Sequence, residues 1–178
     1  FTCNKKLETL EDFKGKKFRT MVSPIIMEQF KTLGANPVPV DFSELYNALQ
    51  QGTVDGQENP LVTIDSVKLY EVQDYLLLSS HAYLGHVFMV SDDWFNGLDA
   101  DLQEIIARNA KEIAGWERDL VAKEEAAYLE TIKNSGTTVI ELSDEERAKM
   151  KEATASVYEV AKDIVGEDLL QLVVEAAK

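Results

Sequence analysis

From Asp99 onward, Leu102, Ile105, Ile106, Ile113, Trp116, Leu120, Tyr128 and Ile132 recur at helical spacing, and only Gly115 weakens the run. A helix rises about 1.5 Å per residue, so one spanning this run is longer than a small domain is wide. Such an element has to pack across more than one structural layer. No other segment constrains the fold as strongly. Gly136 supplies its stop.

Ahead of that run, short strand and helix signals alternate. Thr9-Leu10-Glu11-Asp12 followed by Gly15 reads as a capped turn. Phe18–Val22 reads as a strand halted by Ser23-Pro24, and Ile25, Ile26, Gln29, Phe30 and Leu33 as the apolar stripe of a helix closed by Gly34. Pro37–Val40 is an extended piece, placed at a sheet edge because proline cannot donate to a ladder. Asp41 with Glu44 predicts a capping box for a helix that buries Leu45, Tyr46 and Leu49 and ends at Gly52. Pro60 opens another helix reaching about Lys68. Tyr75–Ser79 and Ala82–Val90 are strand-like, and Ser91 caps a short turn through Trp94. Beyond Gly136, Thr137–Ile140 predicts a strand. Ser143 with Glu146 opens one helix whose stripe runs from Met150 to Ile164, and Leu169–Ala176 forms a last one. Alternation early and helices late predict an α/β sheet with a helical back.

A net charge of −14 excludes a nucleic-acid surface, which needs basic residues against phosphates, and does not suit an anionic membrane. No apolar run is long enough to span a bilayer. Cys3 is the only cysteine, so the chain has no internal disulfide. His81 and His86 are the only histidines and lack Cys or acidic partners at ligand spacing, so neither a metal site nor a cofactor is expected. There is no GxSxG, P-loop, GxGxxG or HExxH pattern. Asp55 with Glu58 is a solvated or capping pair rather than an acid/base couple, so the chain is not expected to be an enzyme. Trp94 and Trp116 are expected in the core.

In open α/β sheets ligands sit beyond the carboxyl ends of strands, beside helix starts. Three segments meet that condition: the end of the Phe18–Val22 strand with Arg19 and Ser23, Val40–Ser43 with Phe42, and Gln57-Glu58-Asn59-Pro60. Between them they offer a guanidinium, an aromatic face, a carboxamide and free backbone N–H groups. That set suits a carboxylate, which arginine can meet with two parallel bonds. After Arg19 the next arginine is Arg108, which isolates Arg19 as the anion anchor. His81 and Tyr83 are expected on one face of a strand returning to the same cleft.

The segment LGANPVPVDFSELYNALQQGTVDGQENP, Leu33 to Pro60, closely resembles the signature region of TRAP (tripartite ATP-independent periplasmic) transporter solute-binding proteins of the dicarboxylate-binding, DctP-like family. LEDFKGKKFRT upstream and KLYEVQDYLLLSSHAYLGHVFMVSDDWFNGLDADLQEII downstream extend the likeness over essentially the whole chain. One departure is Leu10, where the family has a proline.

The resemblance implies a periplasmic-binding-protein-like, flytrap fold, with a cleft between two α/β lobes and a long helix along the back of both. It implies capture of a small organic carboxylate in the periplasm, delivery to TRAP membrane subunits, and a signal peptide in the full-length precursor. By position, Arg19 resembles the arginine that pairs with the carboxylate, Asn59 the asparagine that assists it and Phe42 the aromatic pocket wall. Ser23 and Glu58 fall at nearby wall positions, and His81 and Tyr83 on the hinge-crossing strand. In the family layout residues 1–84 and 125–178 form the second lobe and 85–124 a remnant of the first, most of which would precede Phe1. The apolar faces this leaves around Val87–Val90 and the first half of the long helix predict self-association. A helical protein-interaction module without a small-molecule ligand is the alternative reading.

Overall fold

Phe1 to Cys3 is too short a run to announce a strand, yet Thr2–Cys3 (β1) pairs along both edges in the computed structural model, which describes residues 1–176. Lys17–Thr20 (β2) follows the Leu10–Phe13 turn, where the Asp12 carboxylate accepts from the Glu8 and Thr9 N–H groups. Ser23 caps Pro24–Thr32 (α1), Pro24 taking the position where a missing N–H costs nothing. Asn36–Pro39 (β3), Leu45–Gln50 (α2), Gly56–Gln57 (β4), Leu61–Ser66 (α3) and Tyr75–Leu78 (β5) complete the alternating part. Asp92–Asn96 (α4) precedes the long helix Ala100–Asn134 (α5). Thr138–Glu141 (β6), Asp144–Ala153 (α6), Val157–Val165 (α7) and Glu167–Ala176 (α8) close the chain.

The strands form one six-stranded sheet in the order β3-β2-β4-β1-β5-β6. β1 runs antiparallel to both neighbours, and every other contact is parallel. All strands except β1 therefore point the same way and end on one edge. β3 lies at the outer margin, as its two prolines require.

Side chains alternate across the sheet. Val38, Arg19, Gln57, Thr2, Leu76 and Val139 stand in register on one face. Against that face pack Leu45 and Leu49 of α2, Ile64 of α3 and Ile132 near the end of α5. The opposite face carries Phe18, Cys3 and Leu77, covered by Phe13, Phe30 of α1 and Met150 of α6. The Phe18 ring stacks on Phe30 at 4.9 Å and on Phe13 at 5.4 Å.

α5 is 35 residues long, about 52 Å at 1.5 Å per residue. Only its C-terminal part joins this core. Leu102, Ile105, Ile113 and Trp116 are exposed, so Trp116, and Trp94 with it, stand in solvent rather than in the expected core. Residues 82–90 are not a strand. Their β-forming side chains have no neighbouring strand to pair with, and Tyr83, Val87, Phe88 and Met89 are exposed. The expected single helix from Ser143 is two, α6 and α7, parted where the Thr154 hydroxyl turns back to the Met150 and Lys151 carbonyls. Asp41 makes no side-chain cap. A short Phe42–Glu44 turn intervenes before α2 instead.

The sheet is tightest at Gly56, held between β1 and β2. A methyl there would run into the Thr2 carbonyl oxygen and stand 2.8 Å from Phe18 Cε1. Both belong to the buried centre and have little room to shift. Gly56→Ala is expected to cost about 1–3 kcal/mol, read as a lower urea midpoint at unchanged slope. An unaltered midpoint would show that the strand spacing is slack.

Candidate functional site

Because all strands but β1 share a direction, the loops after β2, β3, β4 and β5 gather at one sheet edge. Ser23 lies beyond the end of β2, Phe42 beyond β3, Glu58 and Asn59 beyond β4, and Ser79 and His81 beyond β5. Arg19 is the penultimate residue of β2 and Cα partner of Gln57 in β4. Topology thus brings together residues drawn from four separate stretches of chain.

Arg19 is only 5% exposed. Its Nε donates to the Val40 carbonyl at 2.8 Å, and its guanidinium carbon lies 5.8 Å from the centroid of the Phe42 ring. That contact is within reach of cation–π attraction. No carboxylate among the described residues comes within ion-pair distance of it. Burial lowers its pKa, while the charges of Glu58 and Asp41 oppose the shift. A guanidinium nevertheless stays cationic under any condition in which a protein folds.

A groove of about 680 Å³ opens beside it, lined among others by Ser23, Glu58, Asn59, His81, Tyr83 and Glu125 of α5. Arg19 and Phe42 are not part of that lining. Ser23 uses its hydroxyl on the Ile26 N–H, fixing the start of α1. Asn59 Nδ2 donates to the Gln57 side-chain oxygen. His81 stacks on Phe1 at 3.9 Å, pairs through Nδ1 with the Ser79 hydroxyl at 2.6 Å, and holds Nε2 at 3.6 Å from Glu58. Tyr83 lies on the irregular 82–90 segment and is 89% exposed. It therefore does not share a strand face with His81.

Thr2, Gln57, Gln73 and Ser79 are buried polar residues that carry no site signal of their own in the sequence. Gln57 and Thr2 are fully buried, and Gln73 and Ser79 nearly so. Gln57 belongs to a segment with the right helix-start pattern, but its neighbour Thr2 becomes visible only through strand pairing.

The chain matches the family described as bacterial extracellular solute-binding protein, family 7, over residues 1–163, and belongs to it. It is 35% identical to the C4-dicarboxylate-binding protein DctB of Bacillus subtilis, across 97% of this chain and 49% of that protein. Its fold superposes with a TM-score of 0.94 on a TRAP periplasmic solute-binding protein from Shewanella oneidensis with bound succinate, at 32% identity over 99% of this chain and 58% of that one. The sugar acid binding protein DctPAm of Advenella mimigardefordensis, in complex with galactonate, gives a TM-score of 0.94 at 38% identity, over 99% of this chain and 57% of that one. The chain spans about half the length of the curated relatives it matches.

Burial is the largest influence on His81 and lowers its pKa. Glu58 opposes the shift. Below the ordinary histidine value of about 6.5, the unfolded chain takes up a proton that the folded chain resists. Stability should therefore fall as pH drops through that window toward the depressed value. His81→Gln is expected to flatten this part of the curve of unfolding free energy against pH. An identical slope in both proteins would remove His81 as its source.

Proposed function

We propose that this chain forms the carboxylate-anchoring part of an extracytoplasmic, periplasmic solute-binding protein, which captures a small organic acid and delivers it to a TRAP membrane permease. The observation that carries the reading is Arg19, a buried cation whose charge no side chain neutralises. Burying such a charge is costly unless an anion completes it. Its Nε is already committed to Val40, which leaves the terminal nitrogens for an incoming carboxylate. Asn59 supplies a further N–H donor at the neighbouring loop, and the Phe42 ring braces the guanidinium.

Ser23, Glu58, His81 and Tyr83 serve as wall residues of the groove in this reading. The bound molecule is a dicarboxylate or a related acid, in keeping with the succinate and galactonate held by the two structural relatives. The site works by binding and not by catalysis. Residues 1–84 and 125–178 belong to the second lobe and 85–124 to the first. Both core clusters draw on the former ranges alone, which supports that division; residues 177 and 178 lie outside those described.

Calorimetric titration with a panel of organic acids, on the longest natural form that contains this chain, tests the reading. Each charge-assisted bond contributes roughly 1.5–3 kcal/mol, so Arg19→Ala and Asn59→Ala should each weaken the best ligand by at least about tenfold. Equal affinity in both variants would overturn the anchor assignment.

The exposed Val87, Phe88, Met89, Ile105, Ile113 and Trp116 give the isolated chain a broad apolar surface. Light scattering of the chain alone should report species above the monomer mass that grow with concentration. A monodisperse monomer throughout would refute self-association.

A further inference from the structure

We propose that a buried hydrogen-bond relay running from Gln73 through Thr2 and Gln57 fixes the orientation of the Asn59 carboxamide, making Thr2, Gln57 and Gln73 positioning residues for the anion site. The relay begins where Gln73 Nε2 donates to the Val72 carbonyl at 3.0 Å. That bond commits the other end of the Gln73 amide, Oε1, to act as acceptor, and it takes the Thr2 hydroxyl proton at 2.9 Å. With its proton spent, the Thr2 oxygen can only accept, and Gln57 Nε2 donates to it at 3.0 Å. Gln57 Oε1 is then turned outward and accepts from Asn59 Nδ2.

Each step sets the direction of the next. Thr2 and Gln57 have no exposure and Gln73 has 3%, so water cannot reverse the chain by substituting for a member. Buried amides left half-satisfied would cost far more than the bonds return. The outcome is an Asn59, at the groove wall, whose amide nitrogen faces Gln57 and has a second N–H not used by that bond. The opposite orientation would set the Asn59 carbonyl oxygen against Gln57 Oε1, two acceptors facing each other with no proton between them. Gln57 is also the Cα partner of Arg19 across β4 and β2, so one residue registers the carboxamide against the guanidinium. The inference rests on the proposed role of Asn59 as a carboxylate donor.

The test is side-chain amide NMR of this chain, with the Asn59 signals assigned by their loss in Asn59→Ala. The relay predicts two inequivalent Nδ2 protons, one of them slow to exchange with water. Thr2→Val keeps the shape and removes the hydroxyl. It should bring the two exchange rates together, whereas Thr2→Ser should preserve the difference. A slow proton retained in folded Thr2→Val would overturn the relay. Should that variant fail to fold, Gln73→Met gives the same readout from the far end.

A succinate titration of the longest natural form that contains this chain, followed by the same signals, separates the two ideas. Thr2→Val is expected to weaken the response about 3- to 10-fold relative to Thr2→Ser. If Asn59→Ala weakens succinate and Thr2→Val does not, the positioning role fails while the donor role stands. If Asn59→Ala binds as the parent does, or the parent shows no response, the donor role fails and the exchange data alone judge the relay.

Discussion

Two residues of backbone, Thr2 and Cys3, hold the sheet together. On one side of β1 lie the parallel strands β4, β2 and β3, and on the other the parallel pair β5 and β6. Neither group of strands pairs with the other except through β1. The Phe1 carbonyl extends this bridge by accepting from the Leu77 N–H at 2.8 Å. The bridge is narrow because Gly56 lets β4 lie close to Thr2 with the Phe18 ring alongside. Since β1 is antiparallel to both neighbours, it aligns the two groups so that their carboxyl ends meet on one edge. The placement of Arg19, Asn59 and His81 beside one another follows from that arrangement.

Electrostatics at the edge run against the rest of the molecule. The chain carries a net charge of −14, yet the most buried charged residue among those described is a cation. Glu58, 12% exposed at its side chain, turns its carboxylate to His81 at 3.6 Å and leaves Arg19 without a direct partner. Surface lysines pair with neighbouring carboxylates, as Lys149 does with Glu145 and Glu146. Such exposed pairs contribute little to stability, whereas a buried, unpaired guanidinium is costly in the absence of an anion. Destabilisation is therefore concentrated where binding can relieve it.

Most of the fold was legible in the sequence because its elements carry local signals. Ser23-Pro24 marked the start of α1, the prolines of β3 marked an edge, and the periodic run from Leu102 marked α5. Arg19, Phe42 and Asn59 stood out through residue type and position after strands. What escaped was set by pairing between distant segments. β1 has only two residues and no periodicity to read, and the bonds from Thr2 to Gln57 and Gln73 join positions 55 and 71 residues apart. Residues 82–90 misled in the opposite way. Val87, Phe88, Met89 and Val90 have strong strand preference, but preference without a partner strand does not make a ladder.

The same reasoning explains why α5 keeps its length where nothing covers it. Thirty-five residues rich in Ala and Glu form a helix on intrinsic propensity, and Ile132 with Leu129 secures one end in the core. Its apolar positions continue past the point where this core stops, through Trp116 and Ile113 to Ile105 and Leu102. A helix that served this core alone would turn polar there. The stripe instead runs on, and the exposed Val87, Phe88 and Met89 are apolar as well. Covering them would complete a second layer of packing along the same helix. Where the helix leaves this core, its Val121 and Glu125 line the same groove as Asn59, so the element that extends beyond the core also borders the candidate site.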